Sequence, residues 1–287
     1  MKTTILKLSS LALLVALAAG CVDDGEQGPV GPQGVQGPAG QDGADGQDGA
    51  DGADGQDGDD GNNGQSGNLA VYTVSIANLT YGQPFSPASV VAHEPGYYAF
   101  VPGEPASVAL EMLAEGGNAS GLIDEATQSV EFLDAQQGAG TPPRSIGSET
   151  TLVVPTLDTD NLRVSVLTML VDTNDAFTGL NAMDISNMEV GDQKAFMTVS
   201  WDSGTEANLE TADTMPGPAA GAAGGGGASA GFSAVRDDVV DAVHVHRGVV
   251  TNENVSDPSR EGLATSVLNE SDRWDNPTAK IVVTRTR

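Results

Sequence analysis

From Gly25 to Gly67 a glycine stands at every third position without interruption, fifteen in register, beginning Gly25-Glu-Gln-Gly28-Pro-Val-Gly31. A strict Gly-X-Y period is the collagen signature, because three polyproline-II-like chains wind around an axis where only glycine fits. Such a segment cannot build a globular core, having too few apolar side chains to offset the entropy of ordering it. Two forms stay open. Pro29, Pro32 and Pro38 occupy the first third and suit a triple helix, and hence a homotrimer. The remainder carries Asp42, Asp45, Asp48, Asp51, Asp54, Asp57, Asp59 and Asp60 with no lysine nearby. In a trimer these aspartates repel unless divalent cations or salt screen them, and a disordered acidic linker is the other form. Either way residues 21–69 are a spacer, and its Gly-X-Y repeat, 25–67, is at most about 130 Å long at roughly 3.1 Å per residue.

The chain starts with Lys2 and Lys7, continues through the apolar run 11–19, and reaches Cys21, its only cysteine. A charged start followed by a short apolar stretch reads as a signal peptide over residues 1–20. That stretch falls short of the roughly 20 residues a spanning helix needs. Leu17-Ala-Ala-Gly-Cys21 resembles the bacterial lipobox, with Ala18 where leucine is commoner. The resemblance implies acylation of Cys21 and a lipid anchor in a bacterial cell envelope; a plain secretory cut near Ala19 is the alternative. Val22 stands where an aspartate would favour inner-membrane retention, which leans toward the outer membrane or cell surface. A single cysteine excludes disulfides within the chain, so the folded part is held by its core or by something else, such as a metal.

The formal charge is -28, and no lysine or arginine occurs between Lys7 and Arg144. This balance argues against nucleic acid and anionic headgroups as partners, and favours cation binding.

Beyond Leu69 the glycine period stops. Tyr72, Val74 and Ile76 alternate with Thr73, Ser75 and Ala77, as in a half-buried strand. Similar runs occupy 151–154, 162–171, 194–201, 242–246 and 280–284, while 106–115 has helical spacing and stops at Gly116-Gly117. Residues 70–287 therefore read as a mainly β domain, an antiparallel β-sandwich with a short helix. Within it, 216–231 is a Gly/Ala-rich stretch expected to be a mobile loop.

The strand 162–171 runs into VDTNDAFTGLN (171–181), and the strand 194–201 into WDSGTEAN (201–208). Strand-end loops of a sandwich cluster at its two ends, so Asp175 can meet Asp202 and Glu206. Two carboxylates around Ser203-Gly204-Thr205 suit the oxygen-rich shell of calcium, with Asp172 and Asn174 as further donors. Spacing alone favours a solvated turn, with a metal site and, behind it, an acid/base pair as the alternatives.

Several separated motifs decide between these. NLTYGQPFSP (78–87), LAEGG (113–117), SVLTMLVDTNDAFTGL (165–180), WDSGTEAN (201–208), Pro-Gly-Pro at 216–218 and VHVHRGVV (243–250) resemble, in order, the spondin domain of the F-spondin and mindin type, also found in bacterial lipoproteins. The resemblance implies an antiparallel sandwich that binds one calcium ion and serves adhesion or matrix contact. It implies Asp175, Asp202 and Glu206 as calcium ligands, with Ser203 replacing the usual alanine and Glu206 one methylene longer than the usual aspartate.

His244 and His246 fall on one face of a strand, a transition-metal spacing without an evident third ligand, and read as a packed or surface pair. Arg236-Asp237-Asp238 reads as a solvated charge cluster. No activated nucleophile is evident, so the expectation is a binder of an unidentified surface or matrix partner and not an enzyme. The alternatives are a metal-assisted hydrolase of envelope polymers, or a passive component with structural calcium.

Overall fold

The computed structural model describes residues 69–147, 149–223, 231–253 and 262–287. The signal peptide, Cys21 and the Gly-X-Y spacer lie outside the described residues, as does 224–230 of the Gly/Ala-rich stretch.

Strand β1 (Leu69–Asn78) buries Ala70, Tyr72, Val74 and Ile76 and leaves the alternate side chains partly exposed, as its period of two predicts. It lies between β4 (Thr150–Pro155) and β10 (Ala279–Arg285), with β7 (Gln193–Thr198) beyond, in the order β4-β1-β10-β7. A second sheet contains β3 (Phe132–Gln137), β2 (Ser89–His93), β5 (Arg163–Met169), β6 (Ala176–Asp184), β8 (Ser200–Asp202) and β9 (His244–Val245), in that spatial order. Every pairing between these strands is antiparallel.

Between the sheets, Val74, Leu152, Val154, Ile281 and Val283 share one buried cluster with Val90, Val164, Val166 and Leu180. The other face of the six-stranded sheet is also covered. Val91, Leu167 and Phe177 pack with Leu110 and Leu113 of α1 (Val108–Gly116) and Leu122 of α2 (Ala119–Ala126). Full burial of each such side chain contributes about 1.5–3 kcal/mol. Strands β2 and β5 are thus buried on both faces, which explains why 162–171 reads as a nearly continuous apolar run instead of an alternation.

Helix α1 matches the expected 106–115. Ser107 Oγ accepts the Leu110 N–H at 3.2 Å, and Gly117, at φ 68°, closes the helix by donating to the Leu113 carbonyl.

Elsewhere the fold departs from the expectation. There are three helices among the described residues, not one short one: α2, and α3 (Pro218–Ala222), which opens the supposedly mobile stretch 216–231. Strands β2 and β3 carry too little alternation to be read. The expected strand 194–201 is two strands in two sheets. Thr198 pairs with Ala279 of β10, and only two residues later Ser200 pairs with Thr178 of β6. The Ser200 N–H donates to Asn276 Oδ1 at 2.8 Å at this switch. The chain thereby closes one corner of the sandwich and delivers the 202–208 loop beside the start of β6.

Candidate metal centre

Pairing of β8 with β6 sets Asp202 opposite Ala176, so Asp175 faces the residues just after β8. The Ser203 N–H donates to the Asp175 carbonyl at 3.2 Å. On the other side, Thr173 pins the turn into β6. Its hydroxyl donates to the Leu170 carbonyl at 2.6 Å and accepts the Ala176 N–H at 3.1 Å.

Asp175 is 0% exposed. Its Oδ2 accepts from Ser203 Oγ at 2.9 Å, Thr205 N at 2.9 Å, Thr205 Oγ1 at 3.3 Å and Glu206 N at 3.1 Å. Oδ1 has no partner. Wrapping Ser203, Thr205 and Glu206 around one oxygen requires a tight reversal, supplied by Gly204 at φ 72°.

Asp202 is held from two directions. Oδ1 accepts the Gly204 N–H at 2.9 Å, and Oδ2 accepts from Asn208 Nδ2 at 3.0 Å. Asn208 Oδ1 in turn lies 3.0 Å from His246 Nε2. The Gly248 N–H donates to His246 Nδ1 at 3.0 Å, so the neutral ring carries its hydrogen on Nε2 and donates it to Asn208. Burial pushes the His246 pKa down, keeping the ring neutral. Ligand atoms of Asp175, Asp202 and His246 lie within 4.8 Å of one another. With both His246 nitrogens committed, however, the imidazole acts as a support that orients Asp202 through Asn208. His244 sits across from Asp202 in the β8–β9 pair, its Nε2 3.7 Å from Asp202 Oδ2 and its Nδ1 donating to the Ala242 carbonyl at 2.9 Å.

Glu206 lies outside the tight group. It is 7% exposed, sits beside Asn174, and leaves Oε2 without a partner. Burial pushes its pKa up to about 8, with Glu115, Asp175 and Asp237 adding repulsion. Asp175 is pushed up likewise, by burial first and then by Asp202. The further donors weighed from sequence have other employment. Asp172 Oδ1 accepts the Ala219 N–H at 2.8 Å and so holds the start of α3, while Asn174 Nδ2 donates to the Thr214 carbonyl at 3.3 Å.

Arg236-Asp237-Asp238 is not merely solvated. Arg236 meets buried Glu111 at 2.7 Å and also the Ala106 carbonyl at 2.8 Å, and Asp237 Oδ1 accepts the Ala207 N–H at 2.8 Å. These bonds dock the segment after 231 against the 202–208 loop. Sequence spacing gave no hint of the Asn208–His246 support, because its members are adjacent only once β9 has paired with β8.

The donor set fits a hard divalent cation. Two carboxylate oxygens beside Asp202, Asp175 Oδ1 and Glu206 Oε2, are buried and unpartnered, and a cation would offset the burial and the mutual repulsion that raise these pKa values.

Residues 78–216 match the family model Spondin_N, and residues 22–71 match the collagen triple helix repeat (20 copies). No curated protein matches the chain. The spondin match contains Asp175, Asp202 and Glu206 but ends before Arg236, His246 and β10, which complete the site and the sandwich. A spondin domain joined to a collagen repeat is an extracellular-matrix or adhesion-type arrangement. The chain is thus a spondin-domain protein with an N-terminal collagen-like repeat.

Proposed function

We propose that this protein is a lipid-anchored adhesion module of a bacterial cell envelope, in which the Gly-X-Y spacer displays a calcium-dependent spondin domain. The observation that carries the reading is the pair of unpartnered, buried carboxylate oxygens at Asp175 and Glu206 beside the fixed carboxylate of Asp202. Asp175, Asp202 and Glu206 would hold calcium, which supplies positive charge and oxygen-only coordination. The protein's own part is to fix the carboxylates in advance, through Gly204, Thr205, Asn208 and His246.

The site adjoins a cavity of about 430 Å³ lined by Asp202, Asn208, Asp238, Val240, His244 and Val250. Val239, Val240, Val245 and Val250 are all at least half exposed or nearly so, giving this end an apolar rim suited to a partner surface. Binding without turnover agrees with the deep burial of the carboxylates, since a metal-assisted hydrolase needs an open coordination position. Anchoring rests on the lipobox resemblance at Cys21, and trimerisation on the collagen-like repeat.

The test uses full chain released by Cys21→Ser and offered to native cell surfaces and matrix, in calcium and in chelator, beside the same protein with Asp202→Ala. Calcium-dependent retention that the second substitution abolishes supports the reading. Equal retention under all conditions overturns it.

A further inference from the structure

Glu115 stands in the last turn of α1, where the helix dipole is negative and a cationic side chain is the favourable choice; that turn has no basic residue. The residue is 1% exposed. One carboxylate oxygen, Oε2, accepts the Ser233 N–H at 2.7 Å, and the other, Oε1, is buried without a partner. Its charged neighbours are Glu111 and Asp175, it lies beside Thr205, and Glu206 feels its charge. No cation is among the groups acting on Glu115, and Arg236 is committed to Glu111, Asp241 and the Ala106 carbonyl. Buried charges without partners are strongly unfavourable. Buried carboxylate oxygens without a partner thus occur on α1 (Glu111 Oε1 and Glu115 Oε1), just before β6 (Asp175 Oδ1) and in the loop after β8 (Glu206 Oε2). Of the two on α1, Glu115 is the one that interacts by charge with both Asp175 and Glu206.

We propose that Glu115 is a fourth carboxylate of the cation site, contributing Oε1 to the ion that Asp175, Asp202 and Glu206 would hold; this rests on the calcium reading above. The ion then ties α1 to the 202–206 loop. Through the Ser233 N–H it also steadies the segment that brings Arg236 and Asp237 into place.

The experiment uses the full chain and terbium(III) as a calcium probe, sensitised through tryptophan. Trp201 immediately precedes Asp202, whereas the Gly-X-Y repeat contains no tryptophan, so ions on its aspartates do not share this donor. Emission lifetimes in light and heavy water count the waters left on the ion, and calcium competition gives its affinity. Glu115→Gln keeps an acceptor for Ser233 and removes the charge. It is expected to weaken terbium and calcium by roughly tenfold or more and to add bound water. Glu115→Asp, which keeps the charge but withdraws the oxygen, is expected to fall between. Glu111→Gln, a control for charge and for the Arg236 bridge, is expected to change affinity far less. If Asp175→Asn abolishes binding while Glu115→Gln keeps wild-type affinity and water count, Glu115 is only structural and the proposal fails. If the wild type shows no sensitised emission, or Asp175→Asn leaves it unchanged, the calcium reading itself fails and takes this proposal with it.

Discussion

Asp175 and Asp202 lie on adjoining ends of paired strands, their carboxylates within 4.8 Å, because Asp202 pairs opposite the residue that follows Asp175. Two negative charges at that separation repel by roughly 3 to 4 kcal/mol at an effective dielectric constant of about 20. The fold sustains the arrangement by giving Asp175 Oδ2 four donors and Asp202 two. A bound cation would convert the remaining repulsion into attraction.

Gly204 is the tightest constraint on this loop. At φ 72°, an added Cβ would fall 2.5 Å from the carbonyl oxygens of Val240 and Ala242. Gly204→Ala is expected to cost at least about 2 kcal/mol, combining left-handed strain with overpacking, and to weaken calcium binding. Urea unfolding measures the first effect and calcium titration the second. A variant as stable as wild type would show that the loop is free to relax.

Asn208 separates support from ligation. Asn208→Ala leaves every candidate ligand in place but removes the hydrogen bond to Asp202 Oδ2 and strands the His246 Nε2 hydrogen. Calcium affinity is expected to fall by about 10-fold, the usual scale for loss of a group that orients a metal ligand. Unchanged affinity would remove the positioning role assigned to the Asn208–His246 pair.

The stability difference between calcium-bound and metal-free protein should depend on pH. In the folded, metal-free protein the pKa values of Glu206 and Glu115 are pushed up to about 8 and about 7, first by burial and then by neighbouring acids. Unfolded glutamates ionise near about 4.3, so this stabilising contribution is complete below that value and is lost as pH rises through about 8. His246 works the other way: its neutral burial favours the fold above about 6.5 and ceases to as the pH falls toward its lowered pKa. Among the described residues four carboxyl groups are raised, Asp172 and Asp175 included, against two lowered histidines, His93 and His246. Metal-free protein should therefore melt lower at about pH 8 than at about pH 5.5, and the gap between calcium and chelator should widen over that interval. Differential scanning calorimetry checks this, and a constant gap would contradict it.

Acylation is a separable expectation. Cells making the Cys21→Ser chain should incorporate no labelled fatty acid into it and should release it from membranes. Labelling retained by the variant would remove the lipobox reading, leaving the spondin domain and its site unaffected.

Much of the fold was legible where one face of a strand meets water. Tyr72, Val74 and Ile76 alternate because β1 has one face in the core, and α1 shows as helical spacing stopped by Gly116-Gly117. The strand switch at Val199 was not legible, since a residue passing between sheets keeps the same apolar pattern as one continuing in a single strand. Asp175 and Asp202 were nominated together by their loops and by family resemblance. Glu115, Asn208 and His246 were not given roles, because each acts through neighbours distant in sequence, and local spacing carries no trace of a contact between α1, β9 and the 202–208 loop.

The most direct test of the central claim is the thermal unfolding of the domain within the full chain, followed by tryptophan fluorescence in calcium and in chelator, for wild type and Asp202→Ala. The account predicts that calcium raises wild-type stability by about 2.7 kcal/mol at a hundredfold excess over Kd, and that the substitution removes this gain. Identical wild-type melts in calcium and chelator, with bound calcium unchanged in Asp202→Ala, would contradict it.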